Sequence, residues 1–206
     1  MRPALVVLVL AAAAAPAPAA DVALGLPALQ PPPAAQVALG RQLFFDRRLS
    51  ANGTLSCAMC HVPEQGFTVN EARTSVGMNG VSLRRNAPTL LNVAFVERLF
   101  HDGRAASLEE QALQPLVHPD EMANASIAAV IARVNAMSDY RRPLRAAFGS
   151  GRATPMRLAR ALAAYQRTLI AAGSPFDRWF YGGDAAALDA LAPRGFAIFR
   201  ERGCAD

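Results

Sequence analysis

Lysine is absent from the 206 residues of this chain, so all 21 basic residues are arginine. With 16 acidic residues they give a net charge of +5, and a basic surface can attract acidic proteins or nucleic acids. The arginines are spread along the sequence, with no basic block and no interleaved aromatic residues. The charge pattern therefore predicts no nucleic-acid binding.

The alternation of apolar and polar residues that marks β-strands is also scarce. Apolar residues recur instead at intervals of three and four, which is typical of helices. Histidine and cysteine are few, with three of each. The chain is long enough for one domain with an apolar core. We therefore predict an all-α fold.

Two of the three cysteines carry the most informative pattern. Cys57 and Cys60 are separated by two residues, and His61 follows directly. This Cys-x-x-Cys-His spacing attaches c-type haem: the thiols form thioether bonds to the porphyrin and the imidazole takes one axial position on the iron. A redox dithiol would be expected in a βαβ pattern, and a zinc site would need a second ligand pair, which His101 and His118 do not supply. The motif predicts covalently bound haem c.

The first twenty residues have the pattern of an export signal. Arg2 supplies the positive charge, residues 4–15 are apolar, and residues 17–19 offer a small-residue cleavage site. The apolar run is short for a membrane span, and an uncleaved anchor is the alternative. The proline-rich residues 21–33 predict an extended leader. Since c-type haem is attached outside the cytoplasm, we expect a periplasmic protein with no membrane attachment after cleavage.

Helix signals divide the chain from residue 34 onward. Apolar spacing predicts a helix over Ala34–Phe45. Ser107 and Glu110 form a capping-box pattern, and the helix that they open should run to about Gln114, where Pro115 stops it. Residues 124–135 predict a further apolar helix.

Later signals are equally specific. Thr154 followed by Pro155 predicts a helix start. Asp184 is a candidate cap for a last helix. Residues 71–88 are rich in Gly, Asn, Ser and Arg, and they predict a long ordered loop of the kind that carries function.

The third cysteine, Cys204, stands third from the end of the sequence. One interpretation is a free thiol. The other is the first cysteine of a second Cys-x-x-Cys-His motif, interrupted where the sequence stops. The second interpretation is favoured because the preceding helical segment is similar to the approach to a haem site.

Taken together, these motifs resemble the bacterial di-haem cytochrome c peroxidases and the related MauG-type di-haem enzymes. The resemblance covers roughly residues 34–204. Besides the haem motif, the matching runs are LGRQLFFD (39–46), RLS (48–50), RNAPTLLN (85–92), DGRA (102–105), SLEEQAL (107–113), PDEM (119–122), ALAAYQRTL (161–169) and SPFD (174–177).

The resemblance implies two cytochrome c-like helical domains. The first carries the haem that reacts with hydrogen peroxide, and the second carries a haem that accepts electrons. It places the N-terminal, peroxidatic domain at residues 34–183 and the first helix of the second domain at residues 184–206, with Cys204 opening the second motif. The implied electron donor is a small cytochrome c or copper protein. The full-length protein would hold a second haem, and a homodimer is compatible with the resemblance.

The resemblance also assigns roles to three side chains. Glu121 corresponds to the distal acid-base group, and Gln111 to the amide that orients the peroxide. Without the resemblance, Glu121 would be interpreted as a loop carboxylate that faces solvent, and Gln111 as an amide on the surface of a helix. Asn86 corresponds to a side-chain ligand of a calcium ion between the two domains. The alternative is an asparagine that packs its own loop through backbone bonds.

Two positions depart from the family pattern. Met78 stands where many of these peroxidases carry a histidine that binds the resting iron. A methionine ligand is one interpretation, and an open sixth position, as in MauG-type enzymes, is favoured. His101 stands where the family usually has a tryptophan between the haems. It could relay electrons, with Asp102 fixing its tautomer, or it could be a surface histidine.

Three functions follow from these assignments. The first is a periplasmic haem c peroxidase that reduces hydrogen peroxide to water. The second is a MauG-like di-haem enzyme that oxidises another protein. The third is an electron carrier without catalytic activity, whose iron would be closed by a methionine ligand.

Overall fold

The computed structural model describes residues 25–205. The predicted export signal, residues 1–20, and the first part of the predicted leader lie outside the described residues. Within residues 25–205, nine α-helices are joined by loops and short 3-10 turns, and isolated β-bridges occur in place of strands. The predicted all-α class is confirmed. In this part of the chain no helix is both long enough and apolar enough to cross a membrane.

Most helices are short, and three of them are single turns of four residues. In chain order they are α1 (Ala34–Phe45), α2 (Cys57–Cys60), α3 (Leu108–Gln111), α4 (Gln114–Val117), α5 (Ile127–Ala136), α6 (Arg141–Phe148), α7 (Pro155–Gln166), α8 (Pro175–Phe180) and α9 (Leu191–Glu201). The helix predicted over Ala34–Phe45 is therefore confirmed with the same bounds.

The described residues divide into two compact units. Residues 26–171 form one unit, which contains α1 to α7. Residues 172–205, together with Gly25, belong to the other, which contains α8 and α9. The domain boundary predicted between residues 183 and 184 stays a prediction.

The larger unit is built on the packing of α1 against α7. Leu43 of α1 and Leu162 of α7 are almost completely buried. The two helices approach so closely at Gly40 that a Cβ atom there would lie 1.9 Å from the carbonyl oxygen of Ala161. Only glycine fits at this position. Because α1 leads into the haem motif, this contact helps to position Cys57 and the residues after it.

The segment around α3 differs from the prediction in two details. The Ser107 side chain accepts a hydrogen bond from the Glu110 amide, as predicted, but Glu110 reaches back to the Ala106 amide, one residue earlier than the capping box requires. The helix also ends at Gln111, three residues before the predicted end at Gln114. Pro115 instead lies in the first turn of α4, where its missing N–H group costs no hydrogen bond.

The long loop at residues 71–88 contains a 3-10 turn at Met78–Gly80. Its tip is fixed to the segment that follows α4, because the Met78 amide donates to the carbonyl oxygen of Asp120 at 2.9 Å. A Cβ atom at Gly77 would lie 1.9 Å from the same oxygen. Glycine at position 77 therefore permits a backbone contact immediately before the predicted acid-base glutamate.

In the smaller unit, the predicted cap of the last helix is wrong. The Asp189 carboxylate accepts from the amides of Leu191 and Ala192 at the start of α9. Asp184 instead accepts from the Ala186 amide in a turn before the helix. Both aspartates have the local hydrogen bonding that favours a helix start, so the sequence alone did not distinguish them.

Candidate haem site

The larger unit contains a cleft that brings the haem motif together with both predicted distal residues. About 660 Å³ in and around the cleft is free of protein atoms, a figure that includes solvent at its open mouth. Cys57, Cys60 and His61 line it, and so do Gln111 and Glu121. The remaining lining residues are mainly apolar: Phe44, Leu55, Ser56, Gly77, Leu90, Ala112, Pro115, Leu116, Met122, Leu162 and Gln166.

The two cysteines are positioned by a single helical turn. Cys57 and Cys60 form the ends of α2, and the His61 amide donates to the Cys57 carbonyl oxygen at 2.9 Å. Neither thiol is in a disulfide. Burial raises the pKa of Cys57 to about 12 and also raises the pKa of Cys60. The motif therefore presents two protonated thiols and an imidazole to one cleft.

The His61 ring is held in one tautomer by the backbone. Its Nδ1 atom lies 3.0 Å from the carbonyl oxygen of Phe67, which can only accept, so Nδ1 carries the proton and Nε2 is left as a free donor of an electron pair. Burial lowers the pKa of His61, which favours the neutral ring. Histidine ligands are oriented in this way in many metal sites.

The Phe67 carbonyl is aimed at His61 by a tight loop. Val62 and Thr68 form an isolated bridge, and the Phe67 amide donates to the Val62 carbonyl oxygen at 2.8 Å. Phe67 itself has a φ of 58°, in the left-handed region. The ring of Phe44 packs against both Phe67 and His61, with centroids 6.2 and 6.4 Å away.

Glu121 and Gln111 both face the cleft, unlike the solvent-facing positions that their local sequence suggests. Gln111 is the last residue of α3, and Glu121 lies in a turn that closes through its amide on the His118 carbonyl oxygen at 3.1 Å. Burial raises the pKa of Glu121, although the nearby His118 and Arg104 oppose this. Glu121 therefore holds a proton more readily than an exposed glutamate does.

Gln166 is a cleft residue to which the sequence analysis assigned no role. It is 5% exposed and lines the cleft, and its amide forms no hydrogen bond with another described residue. Ser75 is also buried, and its hydroxyl lies beside the Cys60 thiol, where it partly opposes the effect of burial on the Cys60 pKa. One signal pointed to Gln166: it continues the apolar stripe of Leu158 and Leu162 on α7 with a polar side chain.

These features fit a c-type haem. The cleft is largely apolar, and it carries both thioether-forming thiols and a neutral imidazole. Among the described residues, no group of three or more His, Cys, Asp or Glu side chains could hold a separate metal ion.

The structure places two other predicted residues together, outside this cleft. His101 Nε2 lies 3.2 Å from the carbonyl oxygen of Asn86. The Asn86 amide donates to the Val69 carbonyl oxygen and accepts from the Ala87 amide, so it packs its own loop. A calcium ion at Asn86 and an electron-relay role for His101 stay predictions.

The interaction proposed for Asp102 is wrong. Its carboxylate accepts from the Arg104 guanidinium at 2.9 and 3.0 Å and not from His101, because a neighbouring arginine is the stronger donor. Met78 is buried but is not among the residues that line the cleft, and its ligation state stays a prediction. Cys204 is exposed in the smaller unit, and its part in a second haem motif stays a prediction.

The fold and the cleft together define a cytochrome c-type haem domain. The family model for di-haem cytochrome c peroxidase matches residues 34–186. The chain belongs to this family.

Relatives of two kinds match the chain. MauG of Methylorubrum extorquens, named a methylamine utilization protein, is 46% identical over 168 residues, which are 81% of this chain and 47% of that protein. The cytochrome c551 peroxidase of Nitrosomonas europaea is 40% identical over 166 residues, or 80% of this chain and 48% of that protein. The chain thus spans about half the length of the curated relatives it matches.

Solved structures agree with this assignment. The diheme peroxidase BthA from Burkholderia thailandensis superposes with a TM-score of 0.70 and 35% identity, covering 82% of this chain and 47% of that one. A MauG-like protein associated with microbial copper homeostasis superposes with a TM-score of 0.71 and 33% identity, covering 85% and 54%.

Proposed function

We propose that this chain forms the peroxide-reacting haem domain of an exported di-haem peroxidase. The protein reduces hydrogen peroxide to water with electrons from a small cytochrome c or copper protein. The observation that carries the proposal is that Glu121 and Gln111 line the same cleft as Cys57, Cys60 and the oriented ring of His61. The predicted export signal supports a periplasmic location.

The chain's own residues would hold the haem in a defined way. Cys57 and Cys60 would form the thioether bonds, and His61 Nε2 would bind the iron, because Nδ1 is engaged by Phe67. When bound, the haem supplies a redox-active iron that passes electrons to peroxide. The apolar wall of the cleft, which includes Phe44 and Leu162, limits the access of water.

Glu121 is suited to move a proton between the two oxygens of hydrogen peroxide. Its carboxylate takes a proton from one oxygen and delivers it to the other, so that the O–O bond breaks with water as the leaving group. Two electrons and two protons are consumed for each peroxide, and two waters are formed. The raised pKa of Glu121 favours the first half of this transfer, in which the carboxylate takes up the proton. The Gln111 amide can orient the peroxide by hydrogen bonding.

We propose that Met78 leaves the sixth position of the iron open, because its side chain is buried away from the cleft lining. A MauG-like oxidation of another protein is the second candidate. It is favoured by the 46% identity to a MauG protein, against 40% to a cytochrome c peroxidase. Both candidates use the same cleft and differ in the final electron donor.

The experiment is a stoichiometric turnover of the full-length holoprotein with hydrogen peroxide and a reduced small cytochrome c. A peroxidase oxidises two molecules of the one-electron donor for each peroxide consumed. Oxidation of a protein partner, with the cytochrome left reduced, would favour the MauG-like reaction. If the protein exchanges electrons with the cytochrome but consumes no peroxide, the peroxidase and the MauG-like functions are both refuted, and the protein is an electron carrier.

A further inference from the structure

A second cleft in the larger unit, outside the haem site, is lined by three arginines. Arg141 and Arg145 come from α6, and Arg152 comes from the loop that follows it. Asn135, Gly149, Ser150 and Gly151 complete the lining.

The sequence around this cleft is rich in arginine and lacks acidic residues. Residues 141–176 contain seven arginines and no aspartate or glutamate. No ion pair within the described residues involves Arg141, Arg145 or Arg152, whereas Arg167 of the same segment is paired with Glu109. Three guanidinium groups therefore share one cleft without an internal counter-charge.

Helix stability does not account for this arrangement. Arg141 is the first residue of α6, at the end where the helix dipole disfavours a positive charge. Arg141 and Arg145 are four residues apart, so they lie on the same face and repel each other. Such a cluster is unfavourable unless an anion offsets it.

Hydrogen bonds fix the loop that forms one wall of the cleft. Asn135 Oδ1 accepts from the Ala153 amide at 2.8 Å, and Arg157 donates to the Arg152 carbonyl oxygen at 2.7 Å. Gly151 lies so near α6 that a Cβ atom there would be 3.1 Å from the Arg141 carbonyl oxygen. The loop that carries Arg152 is therefore fixed beside the start of α6.

We propose that this cleft binds a small oxyanion with two or more negative charges, either a phosphate or a polycarboxylate. Arginine is suited to this because its guanidinium donates two parallel hydrogen bonds to phosphate or carboxylate oxygens. The backbone N–H groups of Ser150 and Gly151 donate to no acceptor in the described part of the chain, and they add further donors. A concave site with a fixed loop favours a small anion over an extended acidic surface.

The test is calorimetric titration of the full-length holoprotein with inorganic phosphate and, separately, with citrate, at constant ionic strength set with chloride. Saturable binding of either anion supports the proposal, and the tighter one identifies the ligand chemistry. Arg145→Gln and Arg152→Gln should each weaken binding about tenfold or more, since each removes a charged hydrogen-bond donor. The haem spectrum of each variant verifies that it is folded.

Arg142→Gln is the matched control, because Arg142 is an exposed arginine of α6 that does not line the cleft. It should bind within about twofold of the parent, as expected for a screened surface charge. Absence of saturable binding by both anions would overturn the proposal. The proposal would also be overturned if Arg142→Gln weakened anion binding as much as the cleft variants do, because the anion would then be attracted by the general positive charge and not by the cleft. Glu121→Gln should bind the anion normally, so this result is independent of the peroxidase reaction.

Discussion

The Nδ1 atom of His61 lies 3.0 Å from the carbonyl oxygen of Phe67, and this contact fixes which ring nitrogen is free. A carbonyl cannot donate, so the proton must be on Nδ1. The same ring lies in the cleft that holds Cys57, Cys60 and Glu121. The Phe67 carbonyl oxygen therefore leaves His61 Nε2 as the nitrogen that is expected to bind the iron.

The first prediction concerns covalent haem attachment. In the exported protein from a haem-maturing host, Cys57→Ser or Cys60→Ser should weaken retention of haem through acid-acetone extraction, because one thioether bond is lost. The change can be measured from the absorbance of the precipitated protein. Met59→Leu is the control, since Met59 lies between the two cysteines and is 39% exposed. A colourless parent protein would contradict the assignment of the motif.

The second prediction concerns the contact of α1 with α7. Gly40→Ala should lower the free energy of unfolding by about 2–3 kcal/mol, because the new methyl group would collide with the Ala161 carbonyl oxygen and force the helices apart. Urea unfolding followed by circular dichroism measures this change. Gly195→Ala, in the middle of α9 with open space around it, should be neutral or slightly stabilising. A fully stable Gly40→Ala variant would rule out the close approach.

The third prediction concerns pH and the ion pair of Glu109 with Arg167. The two side chains form paired hydrogen bonds of 2.6 and 2.9 Å that join α3 to the end of α7. These bonds lower the pKa of Glu109 below its ordinary value of 4.5. The stabilisation is therefore fully present above that value and is lost as the pH falls through the lowered pKa.

Glu109→Gln should accordingly cost about 1 kcal/mol of unfolding free energy at pH 7, and the difference from the parent should shrink toward pH 3. Parallel urea titrations at both pH values measure it. Glu64→Gln changes an exposed carboxylate that forms no ion pair among the described residues, and it serves as the control. A difference that is constant with pH would exclude the ion pair as its source.

The fourth prediction concerns Met78. If its buried side chain does not bind iron, the ferric haem of this domain should be high-spin and should bind cyanide rapidly, and Met78→Leu should leave both properties unchanged. Electron paramagnetic resonance and cyanide-binding rates measure them. A low-spin signal that becomes high-spin only in Met78→Leu would show that Met78 is a ligand, and it would favour a gated peroxidase or an electron carrier.

Local sequence signals predicted the features that depend on neighbouring residues. The bounds of α1 and the Thr154 cap of α7 follow from helix periodicity and capping chemistry. The haem motif is similarly local. Its cysteines and histidine share one helical turn and the residue after it.

Features that depend on distant partners were missed. Residues 124–135 predict a helix, but α5 begins at Ile127 with Ser126 as its cap. Asn124 is a good cap in isolation, but its side chain instead donates to the carbonyl oxygens of Leu49 and Leu116 in the core. Gln166 is buried although it is polar, and the only local sign of this is its place on the apolar stripe of Leu158 and Leu162.

The placement of Glu121 in the cleft was an expectation from family resemblance alone. Its position depends on long-range backbone contacts: the Met78 amide donates to the Asp120 carbonyl oxygen, and the Ala51 amide donates to the Met122 carbonyl oxygen, both at 2.9 Å. Such contacts join segments dozens of residues apart, and a single sequence gives no direct sign of them.

The most direct test of the account is the rate at which hydrogen peroxide oxidises the haem in the parent full-length protein, in Glu121→Gln and in the control Glu64→Gln, followed by stopped-flow absorbance. Loss of a positioned acid-base group should slow the reaction of Glu121→Gln about a hundredfold or more while its resting spectrum stays unchanged. The control should react at the parent rate. A parent rate in Glu121→Gln would contradict the central claim that this carboxyl moves the proton in peroxide reduction.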